Sequence, residues 1–153
     1  MALIIYLPAA VFALVPKNTE AQEAPALMLT GQGRFAQFAD LNTRSIMPDG
    51  RKGLRVLQIS AEPMQIGAHS FIGGWSNWAF DCDARTAQRL DFASVRSDGH
   101  IGPLTPVTGE PLSIAAGGDA DELAAVACEL VPLRSDAKSV DEAVALARTN
   151  EAF

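Results

Sequence analysis

Histidine, cysteine and clustered positive charge are all scarce in this chain of 153 residues, and each shortage removes a class of function. The two histidines, His69 and His100, lie far apart and lack the ligand spacing that a zinc site needs. His100 follows Asp98-Gly99, which reads as a turn and not as the setting of a catalytic imidazole. Against 12 basic residues stand 18 acidic ones, a net charge of −6. Nucleic acid is therefore not expected as a partner, because phosphate binding needs grouped Lys and Arg. The same sign argues against attachment to an anionic membrane surface. Gly31-Gln32-Gly33 and Gly73-Gly74 lack the Lys and the helix start of a phosphate loop. No Gly-x-Ser-x-Gly elbow occurs, and Asp40, Asp81 and Glu110 have no context that marks them as acid–base carboxylates. Asp81 and Asp83 read as a solvated hairpin. No catalytic residue, cofactor, cofactor-binding residue or metal ligand is expected, and there is no internal repeat.

What is present is an ordinary globular balance, 48% hydrophobic and 20% charged. It fits one domain with a modest core that a covalent staple would help. Part of the apolar content is gathered in Ala2 to Val15, a run without charge. It is shorter than the roughly 20 residues of a comfortable transmembrane helix and matches the apolar region of a signal peptide. Pro16 breaks it, and Thr19 and Ala21 put small residues where a signal peptidase reads. Cleavage would leave Gln22 first. Export to the periplasm or surface of a Gram-negative cell is the expectation, with no stable membrane span in the mature chain. No Lys or Arg precedes the run, so a buried strand or helix is the alternative.

Cys82 and Cys128 are the only cysteines. In an exported chain an even count suggests a bridge, and one intramolecular pairing is available. Closing that loop of roughly 45 residues is worth about 4 kcal/mol by chain entropy. The alternative is two separate buried thiols in a cytosolic protein. Neither cysteine has a histidine close in sequence to make it a nucleophile.

The expected order is several strands, then helix. Gly33 to Leu41 and Leu54 to Ala61 read as strands, the second with a slip in phase near Leu57 that suggests a bulge. Met47-Pro48-Asp49-Gly50 and Ser97-Asp98-Gly99-His100 read as turns. Glu62 to Ser70, broken by Pro63 and Gly67, reads as a loop or strand edge. Gly74 to Asp81 and Thr86 to Ser94 pair as a hairpin across Asp83-Ala84-Arg85. Gly102 to Gly118 is a connection. Asp119 to Leu130 reads as a helix capped by an Asp-x-x-Glu box, with Leu123, Val126, Ala127 and Leu130 on its buried stripe and Pro132 as its stop. A second helix can start at Ser139, though its thin apolar face suggests a loose tail. The domains follow: signal peptide 1–21, flexible segment 22–33, α+β domain 34–131, partly helical tail 132–153. The fold class is α+β, a small antiparallel sheet with a C-terminal helix on one face.

Phe38-Ala39-Asp40, Ser45-Ile46 and Asp49-Gly50 lead to Phe80-Asp81-Cys82-Asp83, and a Leu/Ala/Val helix then ends in Ala127-Cys128. Together these pieces, spanning Phe35 to Cys128, resemble the surface-adhesin protein E family of exported proteobacterial proteins. The resemblance implies a short antiparallel sheet tied to its C-terminal helix by a Cys82–Cys128 disulfide. It also implies adhesin-like binding of host matrix proteins and dimerisation. The chain departs from the family in lacking a basic surface run and in its long tail, and no ligand-contacting residue carries over. Trp75 and Trp78, beside Gly73-Gly74, form the candidate binding surface. The expected function is an exported, non-catalytic binding domain for an unknown protein or small ligand, with a homodimer through a sheet edge left open. The rivals are an envelope enzyme or enzyme accessory, whose site would gather dispersed Asp, His and Arg, and a structural or assembly component of the envelope.

Overall fold

The computed structural model describes residues 23–149, so the expected signal peptide lies outside the described residues. Its centre is β3 (Lys52–Ile66), paired on either side with β2 (Phe35–Ile46) and β4 (His69–Asp81). Leu54 and Val56 of β3 face one side, with Ala39, Phe80 and Ala87. Leu57 and Ile59 face the other, with Ala36, Phe38, Trp75 and Val95. A strand buried on both sides reads as a continuous apolar run, not as an alternation. The expected slip at Leu57 is therefore absent, and Leu57 pairs in register with Phe38 and Trp75.

The sheet is a meander of antiparallel strands. β1 (Leu27–Gln32) pairs with β2, while β5 (Thr86–Arg89) and β6 (Asp91–Arg96) take successive stretches of β4. Between them Leu90 donates its N–H to the Asn77 carbonyl, and the Asp91 carboxylate accepts from Asn77 N and Nδ2 at 2.7 and 2.9 Å. Two-residue strands β7 (Thr105–Pro106) and β8 (Leu112–Ser113) edge β6 and β5. The eight strands outweigh the helices, so α+β fits only loosely. The segment expected to be flexible contains β1, whose Leu27 is fully buried. The segment 62–70, expected as a loop or strand edge, is the projecting end of the β3–β4 hairpin and so belongs to two strands and their turn.

Turns form where local chemistry required them. Gly50 and Gly99 hold φ of 87° and 83°. Asp81 Oδ1 accepts from the N–H groups of Asp83 and Ala84 and shapes the β4–β5 turn. The free side of β1 is closed by the chain's own tail: Leu27 exchanges backbone hydrogen bonds with Ala137, and Leu29 N donates to Asp136 Oδ2 at 2.9 Å. In the projecting arm, Pro63 sits in the exposed part of β3, which blunts that edge for strand addition.

Each face of the sheet has its own helix, not one face alone. α1 (Asp119–Ala127) buries Leu123, Ala124, Val126 and Ala127 against the Val56–Phe80 side. It ends sooner than expected. Cys128 is its C-cap, Glu129 adopts φ 58°, and Leu130 N returns to the Ala125 carbonyl. That closing motif, not Pro132, stops the helix, and it turns Leu130 out to solvent. α2 (Val140–Thr149) lies on the opposite face. Ser139 Oγ accepts from Glu142 N at 3.1 Å, and Ala143 and Ala147 are buried among Leu27, Phe38 and Ile59. The tail expected to be loose is thus docked, because small residues allow a thin face to approach closely. No helix among the described residues is long and apolar enough to cross a membrane.

Cys82 and Cys128 form a disulfide with a Cα–Cα distance of 5.9 Å. It joins the β4–β5 turn to the C-cap of α1. Cys82→Ala and Cys128→Ala should each cost about 4 kcal/mol, and the double variant no more than either. Urea unfolding of the three variants checks this, and additive losses would contradict it. Ala143→Glu should cost about 2–4 kcal/mol by forcing a charge into the α2 interface. Amide exchange should then show α2 opening before the sheet.

Candidate functional site

The register of the β4–β5 hairpin decides where the site lies. Asp81 pairs with Thr86, which sets Trp78 directly opposite Arg89 on the α1 face. Arg89 extends over two rings, its Cζ 5.3 Å from the centroid of Trp78 and 5.8 Å from that of Phe92. Phe92 reaches there because Gly74, its neighbour on β4, has no side chain: a Cβ at Gly74 would collide with the ring. Trp78 stacks in turn on buried Phe80, with centroids 6.0 Å apart and planes 14° apart.

Trp78 and Arg89 of this stack line one wall of a cleft of about 450 Å³. The floor is Ala87, and the connection opposite contributes Val107 and Leu112. Gly118, Asp119 and Ala120 at the start of α1 close one end. The connection is held at a few points, by the bonds of Val107 N to the Leu90 carbonyl, Ile114 N to the Arg85 carbonyl and Gln88 Nε2 to the Gly109 carbonyl. Leu112 remains 73% exposed at the rim.

The electrostatics of the cleft are lopsided. Arg89 is half-buried, and its Nη2 donates to Gln58 Oε1. It makes no ion pair among the described residues, and its Nε is buried without an acceptor. Burial draws its guanidinium below the ordinary arginine range. The Trp78 Nε1 is likewise buried and without an acceptor. Glu110 and Asp119 line the cleft from exposed positions. The start of α1 adds no net positive charge, since Asp119, Asp121 and Glu122 already meet its dipole. The expected cap is displaced: Gly118, not Asp119, is the N-cap, and Asp121 Oδ2 accepts from Gly117 N at 2.8 Å.

Trp75 and Trp78 do not share a surface. Three residues apart on one strand, they face opposite sides of the sheet. Trp75 is 3% exposed and belongs to the core under α2. Arg55 lies over it with Cζ 4.0 Å from the ring centroid. Beside them is a second recess of about 360 Å³, lined also by Asp40, Asn42 and Thr43. Asp40 is buried there, accepts from Ala26 N and Asn42 N at 3.3 Å, and is the cross-strand partner of Arg55. His69 stands at the end of the projecting arm and His100 in the turn after β6, both outside the cleft and the recess. Among the described residues no group of three or more His, Cys, Asp or Glu could hold a metal ion. Arg89, Phe92, Val107 and Leu112 escape a reading of the sequence. Counting outward from the Asp83–Arg85 turn would have placed Arg89 opposite Trp78, but nothing local marks Phe92 or Leu112.

No protein-family model, curated protein or solved structure matches this chain.

The closed end of the cleft depends on Asp121, whose carboxylate also receives Arg85 Nη2 at 2.8 Å. The Gly117 N–H first, and then Arg85, hold the Asp121 carboxyl below the usual carboxylate range. A folded-state value below the unfolded one gives stability that is complete above about pH 4 and is lost as pH falls through the folded value. Asp121→Asn should therefore flatten the acid limb of the stability curve, as measured by urea midpoints between roughly pH 2 and pH 5.

Proposed function

We propose that this chain is an exported, non-catalytic binding domain that takes its ligand in the cleft beside Trp78 and Arg89. The observation that carries the reading is Arg89, a half-buried cation held between two rings with no counter-ion among the described residues. A site that has desolvated a charge without pairing it gains most from an incoming partner. The cleft adds concavity, an apolar floor and a few convergent donors, the ordinary make-up of a ligand site. Export is supported by the uncharged run Ala2 to Val15 and by the disulfide, since such bonds persist in oxidising compartments. The resemblance to the surface-adhesin protein E family adds binding as the kind of activity, and contributes no ligand.

One observation favours the rival reading of an envelope enzyme: Asp40 and Arg55, neighbours across β2 and β3, both line the second recess. The Asp40 carboxylate is committed to two backbone N–H groups there, which suits a structural part better than proton transfer.

The test is to recover the protein from the periplasm of an expressing Gram-negative cell and record its intact and native masses. The expected results are a chain beginning at Gln22, thiols that alkylate only after reduction, and a non-covalent small-molecule adduct. That adduct should be lost in Ala120→Trp, which fills the cleft. A chain that keeps Met1 with free thiols would refute export. Adducts indifferent to Ala120→Trp, or absent from both proteins, would refute the cleft as the site.

A further inference from the structure

We propose that the cleft ligand is a small amphipathic monocarboxylate, its single carboxylate seated on Arg89 and its apolar body lying along Trp78, Val107 and Leu112. The inference rests on the cleft being the binding site and names the chemistry that fills it. Arginine is the side chain best matched to a carboxylate, because its planar fork can donate two parallel N–H bonds. Here Nη2 is bonded to the neutral Gln58 amide and Nε is buried without an acceptor, which leaves Nη1 to meet an incoming group. Trp78 Nε1, on the same cross-strand pair, is a further donor that is buried without an acceptor. Donors in excess of acceptors call for an acceptor-rich ligand group.

The charge of the ligand follows from the rim. Glu110 and Asp119 line the cleft as carboxylates, and Arg89 is the one cation among its lining residues. One negative charge can sit on Arg89 at a distance from them, whereas a second would meet them. Dicarboxylates and phosphate esters are therefore disfavoured. The apolar body follows from Val107 and Leu112, which expose hydrocarbon at the opening, and from Ala87 on the floor. The size follows from the cleft, whose volume of about 450 Å³ lies in the range of small-ligand sites and is concave where a protein-docking face would be flat.

The oxidised, ¹⁵N-labelled protein would be titrated with sodium octanoate while the indole N–H signals of its two tryptophans are followed. The Trp78 signal, assigned with Trp78→Phe, should shift saturably. Octan-1-ol and octanedioate should bind at least about tenfold more weakly than octanoate. Arg89→Gln should weaken octanoate by a similar factor, Arg89→Lys by less, and Arg55→Gln on the other face not at all. Octanol binding as tightly as octanoate would overturn the proposal, as would an Arg89→Gln protein that binds octanoate normally. Where Arg89→Gln fails to fold, the octanoate and octanol comparison on the unaltered protein decides alone. A peptide acetyl-Val-Leu-Val with a free C-terminus that binds more tightly than octanoate would overturn the small ligand in favour of a peptide end. No saturable octanoate shift in a protein that carries the native adduct overturns the carboxylate and leaves the binding site standing. Failure of both shift and adduct removes both.

Discussion

The sheet of this protein has no solvent face at its centre. Leu54 and Val56 on one side of β3, and Leu57 and Ile59 on the other, are all buried. Each such side chain is worth about 1.5–3 kcal/mol when removed from water. Both faces must therefore be covered, and the arrangement of the C-terminal half follows from that need. α1 covers the Val56–Phe80 face, the chain then crosses the open edge of β1 at Asp136–Ala137, and α2 covers the Ile59–Trp75 face. The crossing closes an edge that would otherwise invite another strand. One path thus completes two cores and protects the sheet.

The cover on the α1 side is partial. α1 has 9 residues, enough for about two and a half turns, and it packs mainly on β1, β2 and β3. The disulfide fixes its C-terminal end beside the β4–β5 turn, and that anchor leaves its N-terminal end to meet the connection after β8. β4 and β5 beyond the helix are roofed by the connection alone, which carries Pro103, Pro106 and Pro111 and pairs only through two-residue strands. Prolines cannot donate to a ladder, so such a roof cannot become a third sheet layer. The cleft is the space this leaves, and its position follows from a short helix pinned at one end.

The sequence was legible where conformation is decided locally. The turns at Met47–Gly50 and Ser97–His100 needed residues that tolerate positive φ or cap their own backbone, and those residues were visible. The buried stripe of α1 showed at Leu123, Val126 and Ala127, and two cysteines allowed one pairing. It was opaque where distant partners decide. Leu27-Met28-Leu29 beside Gly31 and Gly33 gives little sign of a strand until β2 is present to pair with it. Pro63 and Gly67 left a loop and a strand edge both open, and the hairpin continues through them because its strands need only each other. The face of α2 looked too thin, but Ala143 and Ala147 suffice against a sheet already crowded with Leu and Phe. Arg89 was invisible for the same reason, since its meaning comes from Trp78 opposite, Phe92 beside it and the missing side chain of Gly74.

The two tryptophans, read together as a surface, are instead the centres of two similar constructions on opposite faces. Each carries an arginine over its ring, Arg55 on Trp75 and Arg89 on Trp78. The arginines differ in their surroundings. Arg55 is the cross-strand partner of buried Asp40. Arg89 has the neutral amide of Gln58, with only exposed carboxylates at the rim of its cleft. Exposed charges are screened by water, whereas a half-buried guanidinium keeps much of its field. Arg55 thus has an acidic cross-strand neighbour beside the buried tryptophan, and Arg89 has none beside the half-buried one. In a chain whose net charge is −6, a recessed cation without an ion pair among the described residues is the feature that folding alone does not require, and the proposed ligand site rests on it.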